Sequence, residues 1–300
     1  MKEKHVVIIG AGLGGLECGY ILAKNGMKVT VLEREAQVGG CLQTFRRGTA
    51  LFDTGFHYVG ALDEGESLHT LFSYFDLMNL PWKKLDEDCF DEVVIGENAF
   101  AFANKHQRFY ERMSSCFPKE REGLKKYVDF LKRVGDHIFD SFNRQNDDTF
   151  TNSLFARSAY EFLNETIQDP LLRKVLSSTS LKMELNAPTL PLYTFAQIND
   201  SFIRSAWRLR GGGMQIAEKL VESIQAMGGE VNTRATVTSI KEEDGKVVGI
   251  TVNNEDYMEA DWFISSVHPA YTVSLVGESK KMHRIYRNRI TNLDNTFGMF

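Results

Sequence analysis

Residues 5–35 read HVVIIGAGLGGLECGYILAKNGMKVTVLERE, and the order of residue types in this stretch decides the fold. Val6 to Ile9 is an unbroken β-branched run, the mark of a strand buried on both faces. Gly10, Gly12 and Gly15 follow in G-x-G-x-x-G spacing. The first permits a tight turn, the second lets backbone approach a pyrophosphate, and the third lets the next helix pack close to the strand. Leu16 to Lys24 reads as that helix, ended by Asn25-Gly26, and Val29 to Leu32 reads as a second buried strand. Free N–H groups and the helix dipole at the glycine turn favour phosphate. Glu33 closes the second strand, placed to accept hydrogen bonds from an adenosine ribose. An acid there favours an unphosphorylated ribose over the 2′-phosphate of NADP. A βαβ unit that binds an adenine dinucleotide is expected, and these residues alone leave NAD and FAD both open.

Bulk properties set the outer bounds. A chain of 300 residues suits one or two domains, and 43% apolar with 25% charged residues is ordinary for a globular protein. A formal net charge of -5 with no offsetting basic block argues against nucleic acid as a partner. Cys18, Cys41, Cys89 and Cys116 show neither metal nor redox spacing nor a disulfide framework, so no metal is expected and a reducing cytoplasm fits. The first residues, MKEKHVVIIG, lack a signal-peptide pattern. No apolar run approaches the ~18 residues that span a bilayer, so membrane contact would be peripheral. Phenylalanine is abundant, at 21 residues, and many fall between 72 and 155; an apolar cavity and a well-filled core explain this equally.

The segment EREAQVGGCLQTFRRGTALFDTGFHYVG (33–60) separates the two dinucleotides by resemblance. Glu33, the Gly39-Gly40 doublet, Thr44 and the turn Phe52-Asp53-Thr54-Gly55 resemble the flavoprotein superfamily of amine oxidases and phytoene desaturases. FDTGFHYVG in particular is similar to its retinol saturase-like and carotenoid isomerase-like branch. The resemblance implies FAD, with Gly39 and Gly40 letting a loop pass close to the flavin diphosphate and ribityl chain, where a side chain would collide. Cys41 departs from the pattern, since many relatives carry Arg or Lys there, which puts a direct cation–phosphate contact in doubt. A second block, WRLRGGGMQIAEKLVESIQAMGGEVNTRATVTSI (207–240), resembles the family's return to the nucleotide domain. Gly211 to Gly213 form a turn, and Ile216, Leu220, Val221 and Ile224 sit at helical spacing. Glu230 to Asn232 reads as a third parallel strand, and Val237 aligns with the residue whose backbone meets adenine in relatives. The resemblance implies that Gly10, Ala11, Gly12, Gly14, Gly15, Glu33, Arg34, Gly39, Gly40 and Val237 form the cofactor-binding set.

The expected fold is α/β. A Rossmann-like FAD-binding domain, residues 1–75 and 205–270, carries a parallel sheet and a small antiparallel meander. The meander spans Thr236–Lys241, Lys246–Val252 and Asp256–Glu259, and ADWFISSVHP is the strand returning to the flavin site. A mainly helical α+β substrate domain, residues 76–204 and 271–300, interrupts it. Within it DEVVIGENAFAFAN reads as a hairpin turning at Gly96-Glu97-Asn98. Pro118 opens a long helix whose stripe is Leu124, Tyr127, Val128, Leu131, Val134, Ile138 and Phe142, and which reads as core. NRQNDDTFTNS reads as a polar loop, and SAYEFLNETI and PLLRKVLSSTSL as helices. KKMHRIYRNR reads as a solvated helix face, with anionic lipid as the alternative contact. Asn295 to Phe300 reads as the interior of an apolar strand, and the expectation is a chain truncated at its carboxyl end relative to the family.

His57 is the candidate catalytic residue. It follows the turn that would lie near the flavin ring, as a hydrogen-bonding or proton-shuttling group or as a packed histidine supporting the loop. Asp53 reads as fixing its own turn, and Tyr58 as cavity wall or packing. The resemblance implies an oxidoreductase that saturates, desaturates or isomerises C=C bonds of a retinoid, carotenoid or other apolar lipid. A C–N-oxidising flavin amine oxidase and a non-catalytic flavin- or lipid-binding chain are the alternatives.

Overall fold

The computed structural model describes residues 4–143, 149–184, 188–277, 279 and 281–293, and the side chains of 138–143 are outside that description. A four-stranded, all-parallel sheet runs in the order Glu230–Asn232, Lys28–Leu32, His5–Ile9, Trp262–Ser265. Alternate residues of these strands enter two different cores, which is why the runs are continuously apolar. Val6, Ile8, Val29 and Val31 face the helices Leu13–Lys24 and Met214–Ala226, meeting Leu16, Tyr20, Ala217, Leu220 and Ile224. Val7, Ile9 and Leu32 face the other way, onto Val237, Ile240, Ile250 and Val252. Those last residues belong to the antiparallel meander Val237–Glu243, Lys246–Val252, Asp256–Met258. Its first turn holds Asp244 and Gly245 at φ 50° and 76°, the paired positive angles that a two-residue hairpin turn demands.

A third core is built from the helical layer. Leu124, Tyr127, Val128, Leu131 and Val134 form the buried stripe of the helix Arg121–Asn143. It packs on the helix Leu192–Arg204 through Phe195 and Ala196. Ile138 and Phe142, the last members of the stripe, lie outside the described side chains. The hairpin Asp91–Ile95/Asn98–Phe102 covers this core with Phe100 and Phe102. The strand Ala206–Leu209 joins the layers: Ala206 lies in the helical core, while Leu209 lies in the core beneath the parallel sheet. It pairs antiparallel with Val59–Gly60 on one side and Trp82–Lys84 on the other. A Cβ on Gly60 would sit 2.2 Å from the Ser201 carbonyl carbon, so this strand lies directly on the helix Leu192–Arg204.

Two local expectations are corrected. The helix Thr149–Phe155 begins inside the stretch 143–153 read as a polar loop and runs just past it. Leu154 is buried there, and Phe150 lies beneath the Arg133 guanidinium at 4.4 Å, so packing overrides the polar composition. Pro118 opens a 3-10 turn, Pro118–Glu120, and the α-helix itself begins at Arg121. Arg284–Thr291 is a helix with no buried residue, in accord with a solvated face. The apolar run Asn295–Phe300 lies outside the described residues. Among the described residues no helix is long and apolar enough to cross a membrane.

Candidate functional site

The carboxyl ends of the first two strands open onto a cleft of about 330 Å³. Gly10 turns the chain there at φ 99°, its N–H donating to the Leu32 carbonyl at 2.8 Å. A Cβ on Gly15 would lie 2.1 Å from the Gly10 carbonyl oxygen, so glycine is needed for helix and strand to meet. A Cβ on Gly12 would meet nothing within 4 Å, because that position borders open cleft. Gly12 starts the helix Leu13–Lys24 with no side-chain cap, and no acid stands in the first turn. The first-turn N–H groups and the helix dipole are therefore not cancelled locally, which suits a diphosphate.

Glu33 forms the opposite lip. Its Oε2 accepts from the Ala11 N–H at 2.9 Å and its Oε1 from the Glu35 N–H at 2.9 Å. A carboxylate offers about four acceptor sites, so each oxygen keeps one for a ribose hydroxyl. A 2′-phosphate would instead meet this fixed negative charge. The cleft thus fits the ADP half of FAD. The Gly39 N–H donates to the Ala11 carbonyl at 2.8 Å, and a Cβ on Gly40 would lie 3.4 Å from Gly12 Cα. The glycine doublet is laid against the first glycine turn.

Gly10, Gly12, Glu33, Arg34, Gly40 and Val237 come together around this one cleft. Ala11, Gly15 and Gly39 are buried behind its wall, while Gly14 is exposed and outside the lining. A Cβ on Gly39, at φ 103°, would lie 3.2 Å from Ala217 Cβ and Met214 Sδ, so its place is set by packing on the helix Met214–Ala226. Ser266, His268 and Tyr271 also line the cleft and were not singled out from the sequence. The Ser266 hydroxyl reaches the Ile9 and Gly10 carbonyls at 3.1 and 3.0 Å, clamping the glycine turn. His268 starts the helix Pro269–Val276, its Nδ1 accepting from the Ala270 N–H. The Tyr271 hydroxyl donates to the Val237 carbonyl at 3.5 Å. Their signal was Ser-Val-His-Pro after an apolar strand, a strand-to-helix turn at the carboxyl edge of a parallel sheet.

His57 belongs to a second space. It lines a cavity of about 650 Å³ walled by Val59, Leu68, Leu71, Ile198 and Phe202. Its Nδ1 faces the Tyr58 carbonyl, which can only accept, so Nδ1 carries the proton. Burial pushes the imidazole below its ordinary range, with the hydrogen bond to the Tyr58 carbonyl acting against this. The neutral ring then offers Nε2 as an acceptor. Tyr58 both packs, 4.7 Å from the Phe202 ring, and lines the cavity. Its hydroxyl donates to Asp91 Oδ2 at 2.6 Å, and burial together with that carboxylate raises its pKa far above the usual phenol range. Asp53 does not fix its own turn. It accepts from the Gly213 N–H at 2.7 Å and from Arg208 at 2.6 Å, while Arg208 also donates to the Phe56 carbonyl. The long-range bonds prevail because Arg208 and the Gly213 turn bring two strong donors to the same carboxylate.

A dinucleotide cleft at the edge of a parallel sheet, beside an apolar chamber between residues 57–71 and the helical layer, defines a flavoprotein oxidoreductase fold. The chain belongs to the family of flavin containing amine oxidoreductases, whose model matches residues 13–282, and FAD is its cofactor. It is 31% identical over 275 residues to the all-trans-retinol 13,14-reductase of Danio rerio, a match covering 84% of this chain and 45% of that protein. Its identity to the chloroplastic prolycopene isomerase of Daucus carota is 22% over 283 residues, covering 88% and 46%. The chain spans about half the length of the curated relatives it matches. Among solved structures, an oxidoreductase from Methanosarcina mazei shares the fold, with a TM-score of 0.69 at 21% identity over 96% of this chain and 65% of that one.

Proposed function

We propose that the chain supplies the ADP-binding unit and one wall of the substrate chamber of an FAD-dependent oxidoreductase acting on C=C bonds. Saturation, desaturation or isomerisation of a retinoid, carotenoid or other apolar lipid is the reaction class. The carrying observation is that one segment, Gly40 to Ala61, runs from the dinucleotide cleft to an apolar chamber of about 650 Å³. That volume lies within the range of small-molecule sites. The relatives support the same class, since one is named for a retinol reduction and another for a prolycopene isomerisation.

Bound FAD supplies hydride transfer to or from a substrate carbon. The first-turn N–H groups at Gly12 hold the diphosphate, Glu33 holds the ribose, Arg34 and Gly40 border it, and Val237 presents backbone to adenine. Ala11, Gly14, Gly15 and Gly39 shape the loops that place these groups. Val59, Leu68, Leu71 and Phe202 exclude water from the chamber. His57, neutral with its proton on Nδ1, accepts a proton or hydrogen bond at Nε2 rather than delivering one. Residues 1–75 and 205–270 are assigned to the FAD unit, and 76–204 with 271–300 to the substrate unit. A cytoplasmic location with peripheral membrane contact suits an apolar substrate.

The test is reconstitution with FAD followed by a visible spectrum. Flavin bands are expected, and Glu33→Ala is expected to weaken FAD binding at least about tenfold, since a carboxylate hydrogen bond is worth about 1.5–3 kcal/mol. A chain that stays colourless with excess FAD overturns the cofactor assignment. Anaerobic incubation with reduced flavin and a panel of polyenes then reads the reaction through loss or shift of the polyene chromophore.

A further inference from the structure

The lining of the apolar chamber contains one side chain that is charged at neutral pH, Lys182, at the end of the 3-10 turn Ser178–Lys182. Its ammonium donates to the Tyr58 hydroxyl at 2.6 Å and to Asp91 Oδ2 at 3.0 Å. It also lies 4.2 Å from the Tyr58 ring centroid and 5.4 Å from that of Phe202. An ammonium has three protons, and two are engaged among the described residues. The Tyr58 hydroxyl has already given its proton to Asp91. Thr70 and Ser201, which also line the chamber, donate to the Glu66 and Ile198 carbonyls of their own helices. Ser67 adds only an uncharged hydroxyl to the lining, so among the described residues the third Lys182 proton is the one charged donor left there.

We propose that Lys182 is a positioning residue that reads an oxygen end group on the apolar substrate, and that the Lys182–Asp91 pair tunes this pole to neutral oxygen. The assignment rests on the reading of the chamber as a lipid site. The charge logic gives the preference. Lys182 is compensated by Asp91 at 3.0 Å, so the pole carries no net charge. A carboxylate bound there would compete with Asp91 for the ammonium and stand near a like charge. An alcohol or carbonyl takes the free proton without disturbing the pair. A hydrocarbon leaves the donor unpaired, which costs affinity.

Three isoprenoids with one carbon skeleton separate these cases: farnesene, farnesol and farnesoic acid, titrated calorimetrically into the FAD-reconstituted chain. Farnesol is expected to bind about tenfold more tightly than farnesene, as one charge-assisted hydrogen bond dictates, and farnesoic acid no more tightly than farnesol. Lys182→Met is expected to abolish the preference for farnesol and to bind farnesene at least as tightly as the parent, since the donor that a hydrocarbon leaves unpaired is gone. Retained farnesene binding also shows that the chamber remains folded. Asp91→Asn, which leaves the ammonium uncompensated, is expected to reverse the order in favour of farnesoic acid. Equal binding of all three by the unaltered chain overturns the Lys182 assignment and leaves the lipid reading standing. Loss of farnesene binding in Lys182→Met shows a merely structural lysine and overturns it too. No binding of any of the three removes the lipid reading, and the assignment with it.

Discussion

Gly12 and Gly15 stand three residues apart in one turn, yet they are glycines for different reasons. The space for a Gly15 Cβ is filled by the Gly10 carbonyl oxygen, 2.1 Å away, whereas that for Gly12 is open. Gly15→Ala is therefore expected to lower unfolding stability by about 3 kcal/mol, the upper range for overpacking. Gly12→Ala should melt within about 0.5 kcal/mol of the parent, as surface changes do. It should nonetheless bind FAD more weakly, because its methyl would project into the open cleft proposed for the diphosphate. Parallel thermal melts and FAD titrations check the pair, and equal melting would refute the packing distinction. Ser114 gives the opposite sign. Among the described residues its hydroxyl is buried without a hydrogen-bond partner, so Ser114→Ala is expected to stabilise by about 1 kcal/mol in urea unfolding. His57 adds a pH dependence. Its folded pKa lies below the 6.5 of the free group, chiefly through burial. A depressed pKa means the unfolded chain binds the proton more readily. The contribution of neutral His57 is thus complete above 6.5 and lost as pH falls through the folded value. The stability difference between the parent and His57→Gln should be flat above about pH 7 and shift against the parent as the solution is acidified. A difference independent of pH would show that burial leaves the imidazole unperturbed.

At the scale of elements, the sequence was most readable where one strand served two cores. Val6 to Ile9 could be recognised as a doubly buried strand because both of its faces demand β-branched residues. The meander was equally plain, since Asp244-Gly245 can only turn. Thr149–Phe155 was hidden because its helicity comes from Phe150 and Leu154 meeting a distant core, not from propensity. The Tyr58–Asp91–Lys182 cluster was hidden for a related reason. Its members are 33, 91 and 124 residues apart, and no local period announces them. The latch between elements was also invisible: Asp53 joins the end of the Ala50–Asp53 strand to the Gly211–Gly213 turn across 160 residues. Asp53→Ala removes the partner of the Gly213 N–H and leaves Arg208 without its carboxylate. A loss of about 2 kcal/mol is expected in urea unfolding. Asp53→Asn, which keeps an acceptor for the Gly213 N–H and removes only the charge facing Arg208, should cost less. If Asp53→Asn costs as much as Asp53→Ala, the Gly213 bond contributes nothing.

Over the whole molecule, the cores make a division that ligand binding should expose. The cleft is bordered by Ile9, Leu32 and Val237, all members of the core between the parallel sheet and the meander. The helical core around Leu124, Tyr127 and Phe195 touches the chamber side and shares no residue with it. A ligand stabilises what it contacts, by RT ln(1 + [L]/Kd), which reaches about 2.7 kcal/mol at a hundredfold excess over Kd. Local opening then falls most in the contacted unit. Native-state hydrogen exchange with and without FAD is therefore expected to slow amides of residues 9–13, 33–40 and 235–238. The buried stripe Leu124–Val134 should exchange at nearly its former rate. Equal slowing of both regions would mean that the chain opens only as a single unit. In that case the strand Ala206–Leu209, which joins the helical core to the core on the opposite face of the parallel sheet, couples the two regions through that sheet, and the division between dinucleotide and substrate units has no energetic meaning. Slowing confined to the helical layer would place the dinucleotide elsewhere and refute the site at Glu33.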